Sequence, residues 1–285
     1  MNEIACQFGP GQSLIGVLTT PAQASSSTAV VLFNAGVIPR YGPHRINVKL
    51  ARALAAQGRT VLRFDLSGVG DSPHQGGEKN FIEQAVRDLR SAMDHVSAST
   101  GIQRFILIGI CSGAVNAYWA AQADERVAGL MMVDGFWYAT RLSAWARRWK
   151  RLQVTPWSKV LGAAWRSLLR RPSSQSAQAD EPALFDGGGA PANPSKADFA
   201  GAMQRLVGRG TAVFVLFTGS VLDCYSYGSQ FRHAFRGQPW LPKVRAELRS
   251  DIDHTITSQA SQRHFIDLIA GWLSQVDSVA RQGAE

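Results

Sequence analysis

The stretch Arg104-Phe-Ile-Leu-Ile-Gly-Ile-Cys-Ser-Gly-Ala114 decides how this chain folds. Its apolar start predicts a buried strand, and the pattern Gly109-x-Cys111-x-Gly113 follows at once, before a helix former. A strand that turns directly into a helix needs small residues two positions before and two after the apex, because side chains there would collide. The stretch therefore predicts a sharp turn that presents the thiol of Cys111 at a helix N-terminus. An inert buried thiol in a tight turn is the alternative, since free cysteines are often buried.

Strands and helices alternate on both sides of this turn. A hairpin is predicted within residues 3–19, and continuous apolar runs predict buried strands at 29–33, 60–64, 127–133, 211–217 and 242–248. Helical spacing of apolar residues predicts helices at 48–55, 81–96, 112–123, 199–207, 225–235 and 256–272. The alternation indicates an α/β protein with a doubly wound, mostly parallel sheet.

A different composition interrupts the alternation after residue 135. Between Trp137 and Arg171 there are nine Lys or Arg and no acidic residue, which accounts for the formal net charge of +9, and five of the eight tryptophans lie there. Their spacing predicts two amphipathic helices on either side of Pro156. We therefore divide the chain into a first core part (1–135), a basic, tryptophan-rich helical insertion (136–208) and a second core part (209–285).

Composition also narrows the function classes. The three cysteines show no metal-binding or disulfide spacing, and no nucleic-acid motif accompanies the basic segment. We expect no metal, no cofactor and no nucleic-acid partner. The N-terminus lacks a signal-peptide pattern, and no uninterrupted apolar run reaches 18 residues. The expected location is the cytoplasm, with peripheral contact at the inner face of the membrane as an option.

The Gly-x-Cys-x-Gly pattern resembles the nucleophile elbow of the α/β-hydrolase superfamily, with cysteine in place of serine. The resemblance runs from about Ala29 to Trp272 and implies an α/β-hydrolase fold with an inserted helical lid at 136–208. Relatives with this cysteine include dienelactone hydrolases, polyester synthases and some acyl-transferring or thioester-cleaving enzymes. The lid and the chain length look more like the lipase and aminopeptidase types that carry a helical cap.

The superfamily order of nucleophile, acid and histidine assigns the other catalytic residues. Cys111 would be the nucleophile, and His254 the base, because it follows the last strand and precedes the last helix. Asp223, after the strand at 211–217, is our first choice for the acid that orients the histidine. Asp134, one strand earlier, is the alternative acid.

The resemblance also implies an oxyanion hole, a pair of N–H groups that stabilise the negatively charged oxygen of the tetrahedral intermediate. The expected donors are the N–H groups of Ser112 and Val37, with Ala35 or Ile38 as other choices for the second. The hydroxyl of Ser112 is expected to cap the helix rather than act as nucleophile. Candidate substrate-binding residues are Asn34, Gly36, Trp137 and Trp145.

These residues predict an ester- or thioester-processing enzyme that forms a thioester acyl-enzyme. Amines and thiols attack a thioester well, so both thioesterase and acyltransferase activities are expected. The alternative is a catalytically silent protein that binds a membrane surface or an acidic partner. For the basic face of the lid, three interpretations stay open: a solvated surface, contact with anionic lipid, or docking of an acidic partner such as an acyl carrier protein.

Overall fold

The computed structural model describes residues 1–74, 80–145 and 193–282. One sheet contains eight strands: β1 (Asn2–Phe8), β2 (Leu14–Thr20), β3 (Thr28–Leu32), β4 (Thr60–Phe64), β5 (Arg104–Ile110), β6 (Val127–Val133), β7 (Ala212–Thr218) and β8 (Val244–Arg249). Their order across the sheet is β1-β2-β4-β3-β5-β6-β7-β8. The β1–β2 and β2–β4 pairs are antiparallel, and every other neighbouring pair is parallel.

Helices cover both faces of this sheet. They are α1 (Ile46–Ala56), α2 (Phe81–Thr100), α3 (Ser112–Ala123), α4 (Lys196–Gly208), α5 (Gln230–Ala234) and α6 (Gln259–Gln282). One apolar cluster joins α2, α3, α4 and α5 to the sheet, and the other joins α1 and α6 to the opposite face. Every residue of β6 is buried, as expected for a strand covered on both sides. The doubly wound, mostly parallel sheet is confirmed.

Two helices differ from their predicted bounds because side chains bind backbone groups that a continuous helix would use. The helix predicted at 225–235 is only α5, since the hydroxyl of Tyr225 accepts from the N–H of Phe231. The last helix begins at Gln259 rather than at residue 256, because the carboxylate of Asp253 accepts from the N–H of Thr257.

The predicted insertion falls mostly outside the described residues. Both amphipathic stripes and eight of the nine basic residues between Trp137 and Arg171 extend into 146–192, so the lid stays a prediction. The two ends of the predicted insertion are described: a helical segment at 141–145 and helix α4. Phe199 of α4 packs in the core beside α3. Among the residues that the structure describes, no helix combines the length and apolar character needed to cross a bilayer.

Candidate active site

The turn between β5 and α3 shows why its two glycines are needed. A Cβ atom at Gly109 would lie 2.2 Å from the carbonyl oxygen of Gly113, and one at Gly113 would lie 2.6 Å from that of Asn34. Both distances are far below van der Waals contact, so any side chain at either position would force the backbones apart. Cys111, at the apex, has φ 60° and ψ −126°, a strained conformation for a residue with a side chain. The chain thus presents Cys111 at the start of α3.

Backbone hydrogen bonds beyond the strand ends bring three loops together at the carboxyl edge of the sheet. The N–H of Cys111 donates to the carbonyl of Val133 at 2.9 Å, and the N–H of Asp134 donates to that of Leu216 at 2.9 Å. The N–H of Gly219 donates to the carbonyl of Ile252 at 2.8 Å. The ends of β5, β6, β7 and β8 are therefore fixed relative to one another.

His254 lies between a carboxylate and the thiol. Its Nδ1 donates to Oδ2 of Asp134 at 2.8 Å, and the ring also hydrogen-bonds the side chain of Cys111. The pKa of His254 is raised to about 10. The hydrogen bond to Asp134 contributes most to this rise and the bond to Cys111 comes second, whereas partial burial opposes it. At neutral pH the ring therefore carries a proton between two hydrogen-bonding partners.

The carboxylate of Asp134 is held by the neighbouring strand as well as by the histidine. The N–H of Thr218 donates to its Oδ1 at 2.8 Å, and the hydroxyl of Thr218 donates to its Oδ2 at 2.7 Å. The Asp134 side chain is fully buried, and its backbone has φ 51°. A buried carboxylate needs such donors, and with them it has one fixed orientation toward His254.

This geometry favours the alternative acid, Asp134, over Asp223, which was our first choice. The carboxylate of Asp134 accepts the hydrogen bond from Nδ1 of His254, whereas Asp223 is exposed and lies five residues beyond the end of β7. The physical reason is position: Asp134 follows the last residue of β6 directly and shares the buried edge with Cys111. The alternative acid of the sequence analysis is the residue that contacts the histidine.

Sequence reasoning missed two residues that position this group. They are Thr218, which donates twice to Asp134, and Ser220, whose hydroxyl accepts from the backbone N–H of His254 at 2.9 Å. The available signal was the placement of small hydroxyl residues at and just after the end of a buried strand. Position at a strand end also favours Asp134, which comes directly after β6.

The loop after β3 approaches the elbow through a side chain. The N–H of Gly36 donates to the hydroxyl of Ser112 at 3.0 Å. Ser112 is the first residue of α3, after the N-cap Cys111, and its hydroxyl joins the loop after β3 to the helix instead of serving as the expected cap. Ile38 N–H donates to the carbonyl of Ala35 and closes a turn around Val37, which is 87% exposed. The choice of Ser112 and Val37 as oxyanion donors stays a prediction.

The predicted substrate-binding residues lie in three different environments. Asn34 is buried; its amide donates to the carbonyl of Ile38 at 3.1 Å and to Asp65 at 3.3 Å, and its oxygen accepts from the N–H of Leu66 at 2.6 Å. Its polar atoms thus join the loops after β3 and β4, and its substrate-binding role stays a prediction. Trp137 packs half-buried against the core, while Trp145 is 61% exposed.

The described residues contain no group of three His, Cys, Asp or Glu side chains that could hold a metal ion.

Solved structures with the same fold are α/β hydrolases. The chain is 13% identical to an esterase from Pyrococcus furiosus, with a TM-score of 0.60 over 96% of this chain and 91% of that one. It is 14% identical to a lidless α/β serine hydrolase from Xanthomonas campestris (TM-score 0.55; 96% and 95% covered) and 18% identical to a proline iminopeptidase from Mycobacterium smegmatis (0.53; 98% and 100%). These likenesses confirm the α/β-hydrolase fold.

No curated protein matches the sequence. A family model, that of the serine aminopeptidases S33, matches residues 25–215, which contain the elbow and Asp134. Most of the chain is covered, and the fold and the elbow geometry agree with the match. The chain belongs to the serine aminopeptidase S33 family of α/β hydrolases.

Proposed function

We propose that this member of a hydrolase family is a cysteine-dependent enzyme that cleaves an ester or thioester through a thioester acyl-enzyme on Cys111. One observation carries the proposal: the side chains of Cys111, His254 and Asp134 form a continuous hydrogen-bonded series at the carboxyl edge of the sheet. The series has the nucleophile, base and acid order that acyl transfer requires, and the acid is buried and fixed by Thr218.

The proposed reaction begins with attack by the sulfur of Cys111, as thiolate, on the carbonyl carbon of the substrate. The carbonyl electron pair moves to oxygen, and the backbone N–H of Ser112, next to the nucleophile, stabilises that oxyanion. When the carbonyl re-forms, the bond to the leaving group breaks, and the leaving group takes the proton of His254. The raised pKa of His254, about 10, supports this role because the ring holds that proton at neutral pH.

The second half of the reaction releases the acyl group. His254, now neutral, takes a proton from the acceptor as the acceptor attacks the thioester carbon, and the sulfur of Cys111 leaves. Water as acceptor gives the free acid, and an amine, alcohol or thiol gives the transferred product. Thioesters react readily with amines and thiols, so the proposal covers both thioesterase and acyltransferase activity.

Cysteine, rather than serine, is the proposed nucleophile although the family is named for serine enzymes. The apex of the elbow is Cys111, and the adjacent Ser112 uses its hydroxyl to accept from Gly36. Only the apex side chain has the backbone conformation that sets it apart from the helix.

The test is acylation of the intact protein, followed by mass spectrometry, with an activated short-chain acyl thioester as substrate. We expect the mass of one acyl group on the wild type, and none on Cys111→Ala. The matched control is Cys6→Ala, which removes a half-buried thiol on β1 and should leave the adduct in place. An adduct of equal yield on Cys111→Ala would exclude the proposed nucleophile.

The acceptor is identified by repeating the reaction with and without an added amine, alcohol or thiol. New amide, ester or thioester product would support the transfer branch. Free acid as the only product under every condition would restrict the protein to hydrolysis.

The catalytically silent alternative makes a different prediction. A protein that binds only a membrane or an acidic partner would show no adduct at Cys111 with any acyl donor and would still bind its partner. For the predicted lid, vesicles of anionic lipid and an acyl carrier protein are the two probes. Arg147→Glu with Arg148→Glu should weaken binding to either, because charge reversal repels an acidic surface.

A further inference from the structure

The loop segment 34–40, after β3, is held at both of its ends by one carboxylate. Asp65 follows β4 directly, and its side chain is fully buried. Its Oδ1 accepts from the backbone N–H of Arg40 at 2.6 Å and from the amide of Asn34 at 3.3 Å. The guanidinium of Arg40 also donates to Oδ2. One buried side chain therefore closes the base of the loop, because the first and last residues of the loop share it.

Asp65 is itself fixed by its surroundings. Its N–H donates to the carbonyl of Ile15 at 2.9 Å, and its carbonyl accepts from the hydroxyl of Ser72 at 2.7 Å. Its Oδ2 accepts from the N–H of Asp71 at 3.1 Å. A Cβ atom at Gly70 would overlap the carboxylate, so only glycine lets the backbone pass this close. The carboxylate is thus held in one orientation by groups of the neighbouring loop.

Between its two ends the loop contacts the elbow. The N–H of Gly36 donates to the hydroxyl of Ser112, next to the proposed nucleophile, at 3.0 Å. The N–H of Ile38 donates to the carbonyl of Ala35 at 3.1 Å. Of the three consecutive N–H groups that begin at Gly36, that of Val37 has no acceptor within the described part of the chain. It is therefore available for an oxygen of the substrate, as the predicted second oxyanion donor must be.

We propose that Asp65 is a positioning residue for the oxyanion hole. The inference rests on the proposed function, because it concerns the oxygen of the tetrahedral intermediate. Asp65 acts through Arg40 and Asn34: by holding both ends of the loop, it sets the position of the Val37 N–H relative to Cys111. A donor that is already in place stabilises the developing charge, whereas a loop free to move must be ordered again in each reaction.

The test compares two reactions of Cys111 that differ in whether an oxyanion forms. Acylation by an activated short-chain thioester passes through a tetrahedral oxyanion. Alkylation by iodoacetamide does not: the sulfur displaces iodide, so a C–S bond forms as the C–I bond breaks. Intact-mass measurements give the rate constant of each reaction. Their ratio reports on the oxyanion hole, because both reactions use the same thiolate.

The main variant is Asp65→Asn. It should lower the rate constant of acylation about 10²-fold, the effect of losing one oxyanion donor, and should leave alkylation nearly unchanged. The matched control is Asp88→Asn, because Asp88 is also a buried carboxylate but accepts from Ser67 and Gln84. The control should lower the thermal stability without changing the ratio of the two rate constants.

A second, milder variant is Arg40→Gln. The Arg40 side chain is partly exposed, and its backbone N–H bond to Asp65 remains. We expect acylation to slow about tenfold, the loss of one charge-assisted hydrogen bond, with alkylation unchanged. Its control is Asp71→Asn, which removes only the exposed carboxylate that pairs with Arg40 at 2.7 Å and should change neither rate. This pair decides the question if Asp65→Asn does not fold.

The outcomes are distinct. A lower ratio of acylation to alkylation in Asp65→Asn and Arg40→Gln, but not in their controls, supports the positioning role. Equal losses of acylation and alkylation, or an equal fall of the ratio in Asp88→Asn, would overturn this role and leave the proposed function standing. A wild type that is alkylated at Cys111 but never acylated would overturn the proposed function, and the positioning role with it.

Discussion

The ends of β6 and β7 offer two acidic residues to the same histidine, and they differ in how the backbone holds them. Asp134 follows β6 without an intervening residue; its N–H bonds to β7, and its carboxylate accepts two hydrogen bonds from Thr218. Asp223 stands in an exposed loop five residues past β7.

The difference shows that anchoring, more than strand order, decides which carboxylate orients the histidine. Burial makes an unpaired charge costly, so a carboxylate is retained inside only where donors converge on it. The last residue of β7, Thr218, donates to the carboxylate that follows the neighbouring strand. The two strand ends thus form one site: the carboxylate of Asp134 follows β6, and Thr218 at the end of β7 holds its orientation.

The largest expected effect separates the two acids directly. Asp134→Asn should lower kcat for ester cleavage by roughly 10³-fold or more, because the amide no longer stabilises the protonated ring or fixes its orientation. Asp223→Asn is the matched control and should change kcat by less than about twofold. Steady-state kinetics on an activated ester measures both variants. A larger loss for Asp223→Asn would reverse the assignment.

The second prediction concerns the pH dependence of stability. The pKa of His254 rises from an ordinary 6.5 to about 10 on folding, so its stabilising effect is complete below pH 6.5 and is lost as pH rises toward 10. We expect the difference in free energy of unfolding between the wild type and His254→Gln to shrink across that interval.

Urea titrations at pH 6, 8 and 10 measure this difference. In the Asp134→Asn background the pKa of His254 should fall, so the difference should be smaller at pH 6 and should vanish at a lower pH than in the wild type. A difference that stays constant from pH 6 to 10 in the wild type would contradict the pairing of the ring with Asp134.

A smaller effect is expected at the supporting strand. Thr218→Val keeps the shape of the side chain and the backbone N–H but removes the hydroxyl donor to Asp134, and should lower kcat about tenfold. Thr218→Ser should restore most of the activity. NMR titration of His254 gives a readout that a purely structural role would not move. An unchanged pKa of the ring in Thr218→Val would show that the hydroxyl does not influence the acid.

The smallest effect should come from the residue that holds the backbone of His254. Ser220→Ala removes the acceptor for the His254 N–H and should lower kcat a few-fold, with KM nearly unchanged. Ser226→Ala, in the same loop, is the comparison, because Ser226 contacts Gln230 through its backbone N–H rather than His254. Equal losses in the two variants would mean that the loop as a whole, rather than this hydrogen bond, is responsible.

Much of this arrangement was predictable from local sequence. Gly109 and Gly113 predict the elbow, because the close contact of two backbones there allows no side chain. The apolar run at 127–133 predicts a buried strand. The choice between Asp134 and Asp223 was not predictable from strand order, since it depends on donors that β7 contributes across the sheet. The start of α6 was missed because Asp253 binds the Thr257 N–H, a local competition that periodicity does not reveal.

The proposed acid directly follows β6, which has a consequence for how this protein can be varied. Of the side chains proposed to act on His254 and Asp134, the connection from β7 to β8 contributes Thr218 and Ser220. Mutational libraries confined to residues 222–229 would therefore leave Cys111, His254, Asp134, Thr218 and Ser220 unchanged. The connection from β7 to β8 can thus be varied without replacing the proposed nucleophile, base or acid.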